Sequence, residues 1–163
     1  MIPDSLREYP AIAALAAADP PAVLGGKLHA GQVSIDIAPE KIVSVCRFLK
    51  DEQRYRRLSG VTAVDWLPAE PRFELVYLLH SLERNERLRL KCRVGGDRPE
   101  IDSITSLWPG ANWYEREIFD LFGVVFRNHP DLRRLLMPED WAGYPLRKDY
   151  PVAGFKYTYR NER

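Results

Sequence analysis

The chain has 163 residues, of which 45% are hydrophobic and 11% aromatic, and its formal net charge is +1. This length and composition predict one globular domain with its own core and exclude disorder over the whole chain. The nearly neutral charge excludes a strong overall attraction to nucleic acid or to anionic lipid.

The cysteines and the N-terminal region point to a soluble protein without metal clusters. Cys46 and Cys92 lie far apart and form no CxxC motif, whereas iron–sulfur and structural zinc sites need clustered ligands. We therefore expect two buried thiols in a reducing compartment. The Ala-rich run from Ala11 to Ala18 ends at a Pro pair, far short of the roughly 20 apolar residues that span a bilayer. Any contact with a membrane is expected to run through a partner.

The first part of the chain predicts a helix, a strand and a second helix. Asp4 or Ser5 can cap a short helix that runs to about Ala18. Residues 32–37 alternate apolar and polar side chains, which is the period of a half-buried strand. After Pro39, four apolar residues recur at helical spacing: Ile42, Val45, Cys46 and Leu49.

Three further strands are predicted, over residues 61–66, 72–81 and 87–94. The last two read as a hairpin around Arg84-Asn85, which places Leu79 opposite Leu90, Tyr77 opposite Cys92 and Leu75 opposite Val94. The other face of the last strand carries four basic residues: Arg87, Arg89, Lys91 and Arg93. Because no aromatic side chain accompanies them for base stacking, this pattern favours a solvated face over an RNA-binding module.

The order of these elements predicts an α+β fold, a two-layer sandwich of helices on a mixed, mostly antiparallel sheet. We assign residues 1–125 to an α/β core domain and residues 126–163 to an extended, irregular C-terminal tail. Prolines interrupt that tail at four positions: Pro130, Pro138, Pro145 and Pro151. Its many large aromatic and aliphatic side chains need burial, so we expect the tail to dock on a partner subunit.

A helix between Asn112 and Gly123 carries the most unusual charge pattern. Asn112 with Glu115 resembles a capping box, and Gly123 is a natural helix stop. The apolar stripe consists of Tyr114, Ile118, Leu121 and Phe122, while Trp113, Arg116 and Asp120 lie on the opposite side. Glu115 falls inside the apolar arc.

Three explanations for Glu115 remain open: a cap on the Asn112 amide, an ion pair with an arginine of the tail or of a partner, and catalysis by a carboxyl group of raised pKa. Glu115, Glu117 and His129 are the only candidate acid–base set, but side chains two positions apart on a helix diverge by about 200°. A free-standing hydrolase or lyase that uses Glu115 or His129 is therefore the weaker alternative.

Several motifs resemble a known family. Glu115-Arg116-Glu117, Asp120-Leu121-Phe122, His129, Arg133 and Leu135 are similar to the signature of the C-subunit family of respiratory complex I. WAGYPLRKDYP, residues 141–151, is similar to the second characteristic segment of that family, and IDSITSLWPGANW, residues 101–113, also fits. Tyr144 is a departure, because many relatives have His at this position.

The resemblance implies a subunit of the peripheral arm of a proton-translocating NADH–quinone oxidoreductase, on the cytoplasmic side of the membrane. Such subunits pack on the D-subunit, which helps to form the quinone pocket, beside iron–sulfur subunits of the same arm. The resemblance implies no cofactor in this chain; FMN, iron–sulfur clusters and quinone belong to partner subunits. Related subunits also serve complexes that are fed by ferredoxin, coenzyme F420 or hydrogenase modules, so the electron donor stays open.

We therefore predict a non-catalytic assembly subunit without catalytic, cofactor-binding or metal-binding residues. An ion-pair network would tie the tail to the helix and cross to the D-subunit, with Arg147→Ala lowering the amount of complex while the lone chain stays folded. The predicted partner interface consists of Trp113, Glu115, Arg116, Glu117, Asp120, His129, Arg133, Arg134, Trp141, Arg147, Lys148, Asp149 and Tyr150.

Overall fold

The computed structural model describes residue 6 and residues 8–151. Three α-helices lie in this part of the chain: α1 (Pro10–Ala18), α2 (Ile42–Asp51) and α3 (Ala111–Phe122). The strands are β1 (Val23–His29), β2 (Gln32–Ile37), β3 (Arg57–Asp65), β4 (Phe73–Ser81), β5 (Glu86–Val94), β6 (Glu100–Asp102) and β7 (Val125–Arg127). No described helix combines the length and the hydropathy that a membrane span requires.

Five strands form one mixed sheet in the order β1-β2-β5-β4-β3. All neighbouring strands of this sheet pair antiparallel except β2 and β5, which pair parallel. Strands β6 and β7 form a separate parallel pair. The predicted α+β class and the mixed, mostly antiparallel sheet are confirmed.

The core lies between the helices and one face of the sheet. The predicted apolar stripe of α2 is buried, and so are the three inward residues of β2, Val33, Ile35 and Ile37. Tyr77 on β4, between β5 and β3, is fully buried, and Ile118 and Phe122 of α3 are buried in the same core. Both cysteines are buried free thiols, as the sequence predicts.

The β4–β5 hairpin differs from the prediction in its register. Leu79 lies opposite Leu88, Tyr77 opposite Leu90 and Leu75 opposite Cys92, so the predicted pairing is wrong by two residues. The turn has four residues, 82–85, instead of two, and Asn85 adopts a left-handed conformation with φ 53°. Because a shift of two preserves the face of each side chain, the predicted inward and outward sets remain correct.

Two strand boundaries also depart from the prediction. Strand β1 was not predicted, because Gly25 and Gly26 interrupt its apolar alternation. Strand β3 begins at Arg57 and not at residue 61, with an irregular register between Leu58 and Gly60. The predicted cap at Asp4 or Ser5 and the last residues of the tail, 152–163, lie outside the described residues.

Candidate functional site

Helix α3 ends as predicted and begins differently. Gly123 adopts the left-handed conformation at φ 74° just beyond the last helical residue. The predicted capping box is wrong, since Gly110 occupies the N-cap without a side-chain hydrogen bond. The preceding turn already satisfies the first amides, because the Ala111 and Asn112 N–H groups donate to carbonyls of residues 108 and 109. Glu115 is therefore free for another contact.

Glu115 joins α3 to the loop that follows β6. Its Oε1 accepts the Ile104 N–H at 2.8 Å, and its Oε2 accepts the Ser103 hydroxyl at 2.6 Å. Burial raises the pKa of this carboxyl to about 7, against the opposing effect of these two hydrogen bonds. The side chain makes neither the predicted cap nor an ion pair with an arginine of the described chain. Instead, it holds the loop at residues 103 and 104 by two hydrogen bonds.

His129 lies against the same carboxyl group. Its Nδ1 accepts the Asp131 N–H at 3.0 Å, so the proton of the neutral ring sits on Nε2. Nε2 is 3.4 Å from the Asn112 carbonyl and 3.9 Å from Glu115 Oε2. Burial lowers the pKa of the imidazole, which favours the neutral ring. Both side chains are 0% exposed, so no substrate from solvent reaches either of them.

Asp120, on the opposite side of α3 from the core, binds a loop of the tail. Its Oδ1 accepts from Arg134 Nη1 at 2.7 Å, and its Oδ2 accepts the backbone N–H groups of Leu135, Leu136 and Met137 at 3.0, 2.7 and 2.8 Å. Three consecutive amides around one oxygen form an anion-binding concavity. Although burial opposes its ionisation, these hydrogen bonds keep the pKa of Asp120 below its usual value.

Arg116, one turn before Asp120, binds the carbonyls of the same loop. Its Nε and Nη2 donate to the carbonyls of Arg133 and Arg134, each at 3.1 Å. Its guanidinium also lies 5.1 Å from the centre of the Trp113 ring. One helical turn thus presents a cation to carbonyls and an anion to amides, and both hold residues 133–137. We call this pair the helix clamp.

Arg134 extends the helix clamp to the next segment of the tail. Its Nη2 donates to the carbonyls of Trp141 at 2.9 Å and Gly143 at 3.2 Å, while its Nη1 holds Asp120. The guanidinium lies 5.6 Å from the centre of the Tyr144 ring. A single side chain therefore connects the helix with two separate stretches of tail.

The C-terminus of α3 binds the tail through its free carbonyls. The Leu146 N–H donates to the Leu121 carbonyl at 3.1 Å, and Arg147 Nε donates to the Phe122 carbonyl at 2.6 Å. These groups have no partner inside the helix, and a cation is favoured at this end of the helix dipole. A Cβ at Gly123 would lie 2.5 Å from the Tyr144 ring, so this close approach requires glycine in addition to its positive φ.

A second cluster ties the end of the described tail to the sheet. Arg72 binds Asp65 at 2.9 and 2.7 Å and Asp149 at 2.9 and 2.7 Å, in two bidentate pairs. The Lys148 N–H also donates to Asp65 at 2.8 Å. The Arg72 hydrogen bonds hold the pKa of Asp65 well below its usual range. We call Asp65, Arg72 and Asp149 the strand clamp.

Sequence reasoning did not find Asp65 or Arg72, although one signal was present. Val61, Ala63 and Asp65 share the inward face of β3, so the alternation places a carboxylate on an apolar face. Glu115 shows the same anomaly on α3. An acid at an inward position indicates a buried partner, but the pattern does not say which residue that partner is.

The remaining predicted interface residues join these clusters through backbone groups or a ring contact, or not at all. Glu117 and Lys148 are exposed, and Arg133 pairs with exposed Asp131 at 2.9 Å. The Trp113 side chain is 59% exposed, in agreement with its predicted position on the polar side of the helix. Trp141 and Tyr150 are half-buried within the tail. Which of the predicted residues contact a partner stays a prediction.

The arrangement holds a tail in place and offers a surface. Among the described residues, no group of three or more His, Cys, Asp or Glu side chains is positioned to hold a metal ion. The side chains of Glu115 and His129 are both 0% exposed. Leu136 and Leu146, whose backbone amides bind Asp120 and the Leu121 carbonyl, are exposed at 58% and 53%, and Trp113 on α3 is exposed at 59%. Large exposed apolar side chains are candidates for a contact surface.

Comparison with known proteins identifies similar sequences over most of the chain. A family profile described as respiratory-chain NADH dehydrogenase, 30 Kd subunit, matches residues 35–156. The C-subunit of NADH-quinone oxidoreductase from Roseiflexus castenholzii is 49% identical over 156 residues, which cover 93% of this chain and 90% of that protein. The protein of the same name from Geobacter sulfurreducens is 53% identical over 125 residues, covering 76% and 77% of the two chains.

Two solved structures are similar as well. A trypsin-resistant fragment (1-134) of Nqo5 has 32% identity and a TM-score of 0.58, covering 63% of this chain and 83% of the fragment. A chain of the membrane-bound sulfane sulfur reductase, described as an archaeal respiratory membrane complex, has 27% identity and a TM-score of 0.77. This second match covers 90% of the present chain and 86% of the other.

Proposed function

The chain belongs to the family of the 30 kDa subunit of respiratory-chain NADH dehydrogenase, whose curated members include the C-subunit of NADH-quinone oxidoreductase, and from this premise we propose a non-catalytic assembly role. It packs on the D-subunit of the same complex and on neighbouring iron–sulfur subunits of the peripheral arm. It reaches the cytoplasmic side of the membrane only through this complex. FMN, iron–sulfur clusters and quinone belong to those partner subunits.

One observation carries this proposal: two of the signature charges, Arg116 and Asp120, hold the tail together with Arg134 and Arg147. Arg116, Asp120 and Arg134 bind backbone groups of the tail, and Arg147 binds the end of the helix. A charged side chain that is buried in such contacts is not accessible to a substrate, as catalysis would require. It does determine where the bound tail segment, and therefore the surface of that segment, lies. The surface comprises Trp113, Leu136 and Leu146, and we call it the tail surface.

The burial of Glu115 and His129 argues against the free-standing enzyme that uses these residues. An acid–base pair must lie within hydrogen-bonding reach of its substrate, whereas both side chains are 0% exposed. The division into a core and a tail also gains support from the Nqo5 relative, which is described as a trypsin-resistant fragment comprising residues 1–134. We propose the same division here, with the core folding first and the tail completing the docking surface.

The electron donor is a separate question. The similar chain in the membrane-bound sulfane sulfur reductase belongs to a complex of another activity, which supports a scaffold that serves more than one type of respiratory complex. The identity with subunits of NADH-quinone oxidoreductase favours NADH as the donor in this case.

The proposal is tested by placing a charge on the tail surface. Leu136→Asp with Leu146→Asp, introduced into the chain in its own host, is expected to remove most of the assembled complex from a native gel. Leu24→Asp is the matched control, because Leu24 is also 58% exposed but lies on β1, at the sheet edge opposite to β3 and α3. Each purified variant is first checked for an unchanged circular dichroism spectrum.

Normal amounts of complex with the double variant would refute docking through the tail surface. An equal loss with Leu24→Asp would assign the effect to general instability and would also contradict the proposal. NADH–quinone turnover by the purified chain alone would overturn the non-catalytic role.

A further inference from the structure

The sheet face that points away from the helices has two ends with different electrostatics. At one end Glu74 accepts from Lys91 at 2.8 Å and from Arg93 at 3.3 Å, so this carboxylate offsets two cations. Arg93 also lies 5.1 Å from the centre of the Trp66 ring. The charges at this end are largely satisfied within the chain.

The other end, near the β4–β5 turn, carries four cations, while the nearby carboxylates have other partners: Glu83 pairs with Arg54 and Arg56, and Glu86 accepts from the Tyr55 hydroxyl. Cross-strand pairing places Arg57 and Arg87 on either side of His80, and Lys27 and Arg89 on either side of Ser34. None of these four cations has an ion pair within residues 8–151. Arg89 donates only to the neutral Gln32 amide oxygen. We call these four residues the cationic end.

A cleft of about 620 Å³ lies at the cationic end. Arg57, Arg87 and Arg89 line it, together with His80, Gln32 and Leu78, whose side chain is 36% exposed. Like charges on adjacent strands destabilise a sheet, so the folded chain gains stability when an anion enters the cleft. The apolar contact at Leu78 favours a ligand with carbon atoms as well as negative charge.

We propose that the cationic end docks an acidic, carboxylate-rich segment of a neighbouring protein in the assembly. This interface is separate from the tail surface, and it rests on the chain being part of a multisubunit complex. Carboxylates match arginine in bidentate geometry, and three arginines around one cleft position several of them. An extended acidic segment fits an open cleft between strands, where it meets charge and the Leu78 side chain together.

The charge of the chain itself excludes its own C-terminal residues as the occupant. Residues 152–163 contain Lys156, Arg160 and Arg163 against one carboxylate, Glu162, so they share the sign of the cleft. Nucleic acid is disfavoured because no Phe, Tyr or Trp side chain is among the described residues that line the cleft, so the large rings used for base stacking are missing there. A membrane surface is disfavoured because the arginines converge on a concavity, whereas lipid headgroups form a plane.

Zero-length cross-linking of the assembled complex tests this proposal. A carbodiimide joins a lysine to a carboxylate that it touches, and Lys27 is the lysine of the cationic end. The complex is purified through an affinity tag on the full-length chain, treated with carbodiimide and analysed by mass spectrometry. The Lys91–Glu74 link within the chain, between atoms 2.8 Å apart, is the internal reference. We expect Lys27 to be linked to Asp or Glu residues of another protein of the complex.

The double variant Arg87→Glu with Arg89→Glu is expected to lower this link by roughly tenfold relative to the internal reference, since like charges then face each other. Arg47→Glu, on the exposed side of α2, is the matched control and is expected to leave the link unchanged. If the double variant does not fold, Arg87→Gln replaces it, with the same direction of effect.

Links from Lys27 only to carboxylates of its own chain would overturn the proposal, as would a link that survives the charge reversal. Competitors are also added before cross-linking: phosphatidylglycerol vesicles, a single-stranded oligonucleotide or a poly-glutamate peptide. If the vesicles or the oligonucleotide abolish the link and the peptide does not, the surface is assigned to lipid or nucleic acid, and the proposal is overturned. Recovery of the complex through the tag is read separately, so the assembly role can stand when this proposal fails.

Discussion

The clamps around α3 and the cationic end of the sheet use the same residue types in opposite ways. In the clamps, Asp120 and Arg72 are 0% and 12% exposed, and nearly every donor or acceptor has a partner within the chain. At the cationic end, Arg57 and Arg87 are exposed, and neither forms an ion pair within the described chain. The comparison teaches that charge density in a sequence does not distinguish an internal brace from a docking surface; burial and pairing do.

The largest effect is expected at Asp120. Asp120→Ala leaves a buried guanidinium and three backbone amides without their acceptor, which costs about 3–5 kcal/mol of unfolding free energy. Chemical denaturation of the purified chain measures this loss. Glu117→Ala, an exposed acid on the same helix, is the control and is expected to change stability by no more than about 0.5 kcal/mol. Similar losses in both variants would break the distinction between the clamp and the surface.

A smaller loss is expected for the strand clamp. Arg72→Ala removes two bidentate pairs, but Asp65 keeps the Leu67 and Lys148 amides as donors, so we expect a cost of about 2–3 kcal/mol. Arg47→Ala, with its exposed side chain, provides the comparison in the same denaturation experiment. A change at Arg72 no larger than at Arg47 would show that this cluster does not hold the tail.

The pH dependence of stability isolates Glu115. Its pKa is raised to about 7 in the folded chain, so the stability it contributes is present at low pH and is lost as the pH rises through 7. The pKa of His129 is lowered in the folded chain, so this residue affects stability only at pH values below the usual histidine pKa. There, its contribution to stability is lost as the pH falls. Between about pH 6.5 and about pH 8, we expect the wild type to lose about 1 kcal/mol relative to Glu115→Gln.

This difference is measured by urea denaturation at several pH values, with Glu117→Gln as the control. The control is expected to follow the wild type, because Glu117 is exposed. A Glu115→Gln curve that runs parallel to the wild type would mean that the carboxyl group is ionised in the core at neutral pH.

The smallest effect on folding is expected at the cationic end. Arg87→Ala removes one of several like charges, so the melting temperature is expected to rise slightly at low salt and to match the wild type at high salt. A clear drop in melting temperature at both salt concentrations would indicate an internal partner for Arg87 and would remove the contrast with the clamps.

Arg147 shows how the structure changes an expectation drawn from the sequence. The sequence analysis predicts that Arg147→Ala lowers the assembled complex while the isolated chain stays folded. The guanidinium lies between the rings of Tyr144 and Phe73, and its Nε binds the Phe122 carbonyl. The variant therefore acts through a loosened tail, and the effect on the complex stays a prediction.

Elements with a clear hydrophobic period were predictable, and long-range partners were not. The apolar stripe of α2, the alternation of β2 and the stop at Gly123 follow from local side-chain chemistry. The register of the β4–β5 hairpin depends on the length of its turn. The polar residues around the turn have similar turn propensities, so the sequence does not determine that length. Strand β1 was not predicted because it contains two glycines, which have a low strand propensity. These glycines lie in the sheet because they pair with β2.

The sequence drew attention to some residues of the candidate site, but it missed Asp65 and Arg72 and did not predict the contacts. Glu115 stood out as a carboxylate in an apolar arc, yet its partners Ser103 and Ile104 lie on a loop eleven or twelve positions earlier. The helical period placed Arg116 and Asp120 on one side of α3, whereas pairs such as Arg72 with Asp149, separated by 77 positions, need the folded chain. The division into residues 1–125 and 126–163 stays a prediction, although β7 crosses it and Phe126 packs in the core.

Hydrogen–deuterium exchange of the isolated full-length chain tests the central claim most directly. The claim is that Arg116, Asp120 and Arg134 hold the tail before any partner binds. The amides of Leu135, Leu136 and Met137 donate to Asp120, so they are predicted to exchange far more slowly in the native chain than in the denatured one, and Asp120→Ala is predicted to abolish this protection. Exchange of these three amides at the denatured-chain rate, with protection only in the assembled complex, would contradict the account.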